Sequence, residues 1–309
     1  MITEYGNFAI QRRFAAGAAG TLGTGPFMEQ EADEEEQAEA HERARPRTIV
    51  IYEAIREEGE DELERSPAGL AWSALAAGLS MTLGLVAMGA LSANLPQTVW
   101  RPLIVDLGYP LGYLIVILGR QQLFTENTLT PLLPILSKPT PGRIGRVGVI
   151  WGIVLVFNVI GALIGSAFLA FSHPMNVLAE APMAQFGVQI MQHGMMTRFA
   201  QAIFAGWLIA LMVWLLPLAE VAGPLVIFAI TYIVGIAEFA HIVAGSVEVF
   251  FAAWTGAVPW SSYPSFFIPT LLGNVVGGVL FVTLIAFAQI VGDRPQSRNK
   301  KAQKKNPAG

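Results

Sequence analysis

Between Ser66 and Gly292 the chain runs for 227 residues with only six acidic and six basic side chains. Over the full 309 residues 14% are charged and 53% hydrophobic, whereas soluble domains carry about 25% charged residues. A water-soluble fold of that length cannot cover its surface with so few charges. The missing charge sits at the ends: 16 of the 23 Asp and Glu residues and seven of the 19 Lys and Arg residues precede Ser66, and six basic residues follow Gly292. The chain therefore divides into an acidic, largely disordered tail (1–65), a membrane domain (66–292) and a basic tail (293–309).

The absence of cysteine excludes disulfides, thiolate chemistry and Cys-ligated metals. No apolar segment with a cleavage pattern precedes Ser66, so no secretory signal is expected. Met28 is a candidate start, because Met1–Phe27 differs in composition from the acidic, low-complexity Glu29–Glu42 that follows. Thr48–Arg65 has helical composition with sparse apolar positions at Ile49, Tyr52, Ile55 and Leu63. It reads equally as a helix on the membrane surface or as a solvated charged helix.

A helix needs about 20 apolar residues to cross a hydrocarbon core of roughly 30 Å. Six segments qualify: Gly69–Ala93, Leu103–Leu136, Arg146–Phe171, Phe199–Leu218, Pro224–Trp254 and Phe267–Val291. The second is interrupted by Arg120-Gln121-Gln122 and Glu126-Asn127, the fifth by Glu238, His241, Gly245 and Glu248. Lys138, Arg143 and Arg146 follow the second span and a basic cluster follows the sixth, against only Arg101 and Arg198 on the other side. The positive-inside rule then places both termini in the cytoplasm, with the basic tail as an anchor to anionic lipid.

The third and sixth spans carry matching strings, Asn158-Val-Ile-Gly161 and Asn274-Val-Val-Gly277, offset by 116 residues. The same offset takes Thr125, in the broken second span, to His241, in the broken fifth. Each half holds three spans, so the second copy must be inverted relative to the first. In such transport proteins the solute site lies where the broken helices meet near the midplane. Gly161-x-x-x-Gly165 and Gly273-x-x-x-Gly277 read as surfaces for close helix contact.

Irregular backbone survives at membrane depth only when buried in protein or lining a cavity. Gln122–Asn127 is therefore read as a loop folded in at the path, with Leu123 and Phe124 as an apolar constriction and Thr125 as a hydroxyl facing His241. His241 is equally open to a role in the path or as a hydrogen-bonded core residue. Glu126 and Glu248 either line the path or pair for stability, with Arg120 the favoured partner of Glu126. Glu238 reads as a half-helix cap or a vestibule residue, and His173 and His193 as exposed. No two His residues have metal-ligand spacing, and no phosphate-binding loop, nucleophile constellation or nucleic-acid stripe occurs. No cofactor, metal, nucleic-acid partner or enzymatic activity is expected.

These residues resemble the formate/nitrite transporter family. Leu123-Phe124-Thr125 is similar to its pore loop, His241-Ile-Val-Ala to its central histidine motif, and Asn158-x-x-Gly161 and Asn274-x-x-Gly277 to its paired asparagine-glycine signatures. The resemblance spans Ala68–Val291 and is strongest to a less characterised bacterial inner-membrane branch. It implies an all-α, aquaporin-like protomer, a homopentamer, and a pore in each subunit for small monovalent anions such as formate, nitrite or hydrosulfide. It also implies a hydrogen bond between Thr125 and His241.

Five departures stand out. Gly245 replaces a usual Asn, and Gly206 replaces another. Val234 takes the place of an aromatic at the second constriction, and the vestibule lysine has no counterpart between Ala181 and Phe199. Glu126 and Glu248 add negative charge, which weakens the attraction of anions. A pore for a neutral solute or a cation, and a non-conducting structural or sensing protein, stay open beside the anion or weak-acid pore.

Overall fold

The computed structural model describes residues 48–292. Glu29–Glu42, the candidate start at Met28 and the basic cluster Arg294–Lys305 lie outside the described residues. All the regular structure described is helical. Five runs are long and apolar enough to cross a membrane: Pro67–Asn94, Arg101–Leu118, Pro141–Ser172, Met195–Ala219 and Trp260–Gly292. We label the helices α1 (Thr48–Glu64), α2 (Pro67–Asn94), α3 (Arg101–Val105), α4 (Pro110–Leu118), α5 (Leu132–Ser137), α6 (Pro141–Ser172), α7 (Val177–Gln192), α8 (Met195–Ala219), α9 (Gly223–Ile236), α10 (Ile242–Trp254), α11 (Tyr263–Gly278) and α12 (Ile285–Gly292). A six-residue π-helical stretch, Val279–Leu284, joins α11 to α12.

Local chemistry sets the starts of the long helices. Ser66 caps α2 by accepting from the Gly69 amide, and Thr140 caps α6 by accepting from the Arg143 amide. In each case proline follows at the first helical position, where its missing N–H costs nothing. Both predicted breaks are present. Helix α4 ends at Leu118 and α9 at Ile236. The chain then turns through Arg120 (φ 52°) and Glu238 (φ 52°), non-glycine residues in the left-handed region. The two halves are not equal beyond the break. In the second, thirteen residues form α10, with every side chain from Ile242 to Ala253 buried; a helix apolar nearly all round belongs inside the protein. In the first, only a 3-10 turn (Glu126–Thr128) and the six-residue α5 follow.

Helices α2 and α6 pack lengthwise, as do α8 and α11, and the glycines of the two signatures make this possible. A Cβ on Gly161 would lie 2.5 Å from the Leu75 carbonyl oxygen, and one on Gly277 would lie 2.1 Å from that of Ile203. Gly78 and Gly206 stand in the same relation to the carbonyl oxygens of Asn158 and Asn274, each at 2.2 Å. Gly206 therefore has no room for the Asn that the family resemblance sets there.

Helix α1 is docked on protein. Ile51, Tyr52 and Ile55 are buried with Leu129, Leu133, Val213, Val282 and Ile290. Because Ile290 belongs to the last helix, the first and last described helices pack against each other. Arg143 bridges to both Glu60 oxygens at 2.8 and 3.1 Å, Arg146 Nε donates to the Leu63 carbonyl, and Gln122 Nε2 donates to Glu62. Burial pushes the Glu62 carboxyl above its usual range, against the opposing pull of Arg65. The expected Arg120–Glu126 pair is not formed. Arg120 instead bonds Glu58 at 2.9 Å, because the left-handed turn at Arg120 carries its side chain out toward α1.

Gly161→Leu and Gly277→Leu are each expected to destabilise the protein by at least about 1–3 kcal/mol through overpacking against backbone. Gly152→Ala, where the added Cβ meets nothing within 4 Å, is expected to stay within about 0.5 kcal/mol. Thermal unfolding in detergent followed by size-exclusion chromatography measures the difference.

Candidate functional site

Two asparagines build the site. Asn158, fully buried on α6, accepts from the Phe124 amide at 2.9 Å and donates to the Gln122 and Ala74 carbonyls, both at 2.8 Å. Asn274, fully buried on α11, accepts from the Ile242 amide at 2.8 Å and donates to the Ala240 and Ala202 carbonyls at 2.9 and 2.8 Å. Each amide thus ties one break, through both a backbone donor and a backbone acceptor, to a neighbouring long helix. No other side chain provides two donors and an acceptor on so short a stem.

These bonds correct the repeat register. Gln122 corresponds to Ala240 and Phe124 to Ile242, as do the left-handed Arg120 and Glu238, an offset of 118 residues. The 116-residue offset holds for Asn158 and Asn274, so two residues separate the breaks from the asparagines differently in the two halves. Thr125 and His241 are therefore not repeat equivalents; His241 is the counterpart of Leu123.

They meet nonetheless, with Thr125 Oγ1 2.8 Å from His241 Nε2. The other ring nitrogen, Nδ1, accepts from the Ala244 amide at 3.2 Å, which makes His241 the N-cap of α10. An Nδ1 lone pair so engaged leaves the ring proton on Nε2, and His241 donates to Thr125. The Tyr113 ring stands edge-on to the imidazole, 5.2 Å between centroids, and the Tyr113 hydroxyl is 3.1 Å from that of Tyr109. The tyrosines were not singled out in the sequence, although two hydroxyls four residues apart in an otherwise apolar span are a readable signal.

Leu123 and Phe124 are buried, and Phe124 packs edge-on to Trp151, 5.9 Å between centroids. Trp151 is itself fixed by donating to the Asn127 carbonyl at 2.8 Å. On either side of this buried centre lies a cavity, and the two share no lining residue. One, of about 550 Å³, is lined by Val234, His241, Gly245 and Glu248 together with Tyr109 and Asp106. The other, of about 800 Å³, lies beneath α1 and is lined by Glu126, Gln122 and Arg120 with four α1 carboxylates, Glu57, Glu58, Asp61 and Glu62. Glu126 and Glu248, distant in sequence, thus face opposite chambers.

Both arginines of the Glu248 chamber are committed to its walls. Arg198, 2% exposed, donates to the carbonyls of Ser265, Ile190 and His193. Arg101 donates to the Ser92 carbonyl and hydroxyl and to Gln97. His193 is half-buried, not exposed as expected, and lies 3.4 Å from the exposed Glu238 at the rim; His173 is exposed and bonded to Glu180. Among the described residues no group of three or more His, Cys, Asp or Glu side chains could hold a metal ion.

Helices broken at mid-depth, a single side-chain contact closing the centre and a chamber on each side define a multi-pass membrane transport protein. The family profile described as formate/nitrite transporter matches residues 49–288, and the chain belongs to that family. It is 38% identical over 283 residues to the inner membrane protein YfdC of Escherichia coli (strain K12), covering 90% of this chain and 91% of the relative. Its fold is similar to that of a solved FNT family ion channel, at a TM-score of 0.70 and 17% identity, covering 78% of this chain and 99% of the channel. It is also similar to that of a pentameric formate channel solved with formate bound, at a TM-score of 0.62 and 19% identity over 73% of this chain and 98% of the channel.

Asn158→Leu and Asn274→Leu each leave a backbone amide and a carbonyl unpaired in the interior, at about 1–3 kcal/mol per group. Each is expected to lower the thermal midpoint in detergent by several degrees. An unchanged midpoint would show that the breaks hold without these amides.

Proposed function

We propose that the chain is a pore for a small monovalent anion of the formate, nitrite or hydrosulfide class, which crosses the centre as its uncharged conjugate acid. The observation that carries this reading is the Thr125–His241 contact between two separated chambers. A bare anion entering a centre lined by Leu123, Phe124 and Tyr113 faces a large desolvation penalty, and protonation removes most of it. With Nδ1 held by the Ala244 amide, His241 serves as a fixed donor to the passing oxygen. The proton comes from chamber water, because protonating Nδ1 requires breaking the cap of α10.

The rest of the proposed arrangement follows from the same frame. The five long helices, with α9 and α10 together as a further crossing, make six spans in two inverted repeats. The chamber beneath α1 faces the cytoplasm, since Lys138, Arg143 and Arg146 lie on that side. A bacterial inner-membrane location is supported by the similarity to an inner membrane protein, and a homopentamer by the fold shared with a pentameric channel. The protein acts as a transporter and not as an enzyme. A second reading, a cation or neutral solute, is favoured by one observation, that each chamber carries a carboxylate beside the centre, Glu126 in one and Glu248 in the other.

Uptake of formate, nitrite and hydrosulfide into proteoliposomes over roughly pH 5 to 8 tests the first reading. Uptake is expected to fall as pH rises, following the uncharged fraction, which drops about tenfold per unit above the acid's pKa. His241→Phe is expected to reduce it about tenfold or more, the equivalent of one lost hydrogen bond of about 1.5 kcal/mol. His241→Asn, which keeps an N–H, is expected to retain more than His241→Phe. Equal uptake and pH response in wild type and His241→Phe would remove His241 from the path.

A further inference from the structure

Glu248 is a group beside the centre that the weak-acid reading leaves without work. It is 7% exposed, no hydrogen bond to its carboxylate is formed among the described residues, and it lines the chamber next to the centre. A buried carboxylate without a partner is expensive to keep, and a protein that needed only packing there has apolar residues available. Its placement is also specific. His241, Gly245 and Glu248 fall on one face of α10, all three lining the chamber, and Glu248 lies about 10 Å along the axis from His241 at 1.5 Å per residue. Between them Gly245 presents no side chain, and a Cβ there would stand 2.7 Å from the Phe266 ring. Gly245 thus adds no side chain of its own between Glu248 and the Thr125–His241 contact, and the Phe266 ring packs against it.

The surroundings select the sign of charge. Asp106 and Glu238 line the same chamber, while Arg101 and Arg198 turn their donors into wall carbonyls and the Ser92 and Gln97 side chains. An arriving anion meets these carboxylates and finds the Nη1 and Nη2 groups of both arginines already bonded to the walls. A cation meets an open carboxylate. A metal cation cannot shed its charge before the apolar centre, but a protonated weak base can leave a proton behind.

We propose that the Glu248 chamber is a binding site for a small protonated weak base of ammonium or methylammonium size, and that the pore carries such bases in addition to weak acids. The Glu248 carboxylate receives the cation and takes one of its protons: an N–H bond breaks, an O–H bond forms on Glu248, and the neutral base is released toward the centre. There its nitrogen lone pair accepts from the donor at Thr125 or His241. On the far side the base regains a proton from chamber water, and Glu248 returns its proton to the water of its own chamber.

The test is uptake of radiolabelled methylammonium into proteoliposomes, measured against protein-free vesicles, with formate uptake followed in the same preparations. Wild type is expected to take up methylammonium saturably, at several times the protein-free rate. Glu248→Gln is expected to bring it close to the protein-free rate, and Glu248→Asp to retain an intermediate rate, with both variants eluting and melting as wild type. Methylammonium uptake equal in wild type and Glu248→Gln overturns the assignment of Glu248. Formate uptake without methylammonium uptake overturns this inference and leaves the weak-acid reading standing. Methylammonium uptake without formate uptake supports it and removes the weak-acid reading, and uptake of neither overturns both.

Discussion

Everything at the centre of this protein depends on how two interruptions in the backbone are satisfied. A helix that stops halfway across a membrane leaves amides and carbonyls unpaired where no lipid can bond them. Asn158 and Asn274 resolve this with one amide each, joining break to flanking helix through three hydrogen bonds of 2.8–2.9 Å. The glycines follow from the same requirement. The asparagines reach the breaks only if α6 and α11 approach α2 and α8 closely, and Gly78, Gly161, Gly206 and Gly277 are the positions where backbone meets backbone. The asparagine-glycine pairs thus form one device: glycine brings the helices together and asparagine uses the proximity.

That device explains why so much was legible in the sequence. Charge depletion marked the membrane domain, polar residues inside apolar runs marked the breaks, and the repeated Asn-x-x-Gly located the helices that support them. The 118-residue register of the breaks was not legible, because the only matching letters lie at the asparagines; the correspondence of Gln122 with Ala240 exists in backbone bonds, not in residue type. The partner of Arg120 was missed for a related reason. Proximity in sequence suggested Glu126, but a left-handed turn redirects the Arg120 side chain toward Glu58, 62 residues earlier. Helix α7, the loss of Arg198 to backbone carbonyls and the exclusion of an Asn from position 206 are all products of packing between distant segments, which no local pattern encodes.

His241 illustrates how backbone and chemistry share one side chain. Its Nδ1 caps the buried helix α10, and its Nε2 bonds Thr125. A residue that needed only to cap could be Ser or Asp, and one that needed only to donate across the path could be Asn. The imidazole does both because its two nitrogens point in opposite directions, one held by the scaffold and one left for the path. The scaffold bond also fixes the tautomer, so the central donor is set by the fold of α10 and does not depend on the solute.

On the proposed reading, a buried, largely apolar centre with carboxylates on both sides would favour solutes that can change charge over solutes of one fixed charge. On that reading, desolvation at Leu123, Phe124 and Tyr113 would penalise ions of either sign, and selectivity at the centre would be for neutrality. Selectivity by sign belongs to the chambers, where Asp106, Glu238 and Glu248 on one side and Glu126 with the carboxylates of α1 on the other set the local field. Separating the two tasks in space lets the centre stay constant while the chambers differ. On the proposed reading, the single chamber-lining carboxylate of α10, Glu248, would then shift which charged form arrives at a barrier that passes uncharged ones.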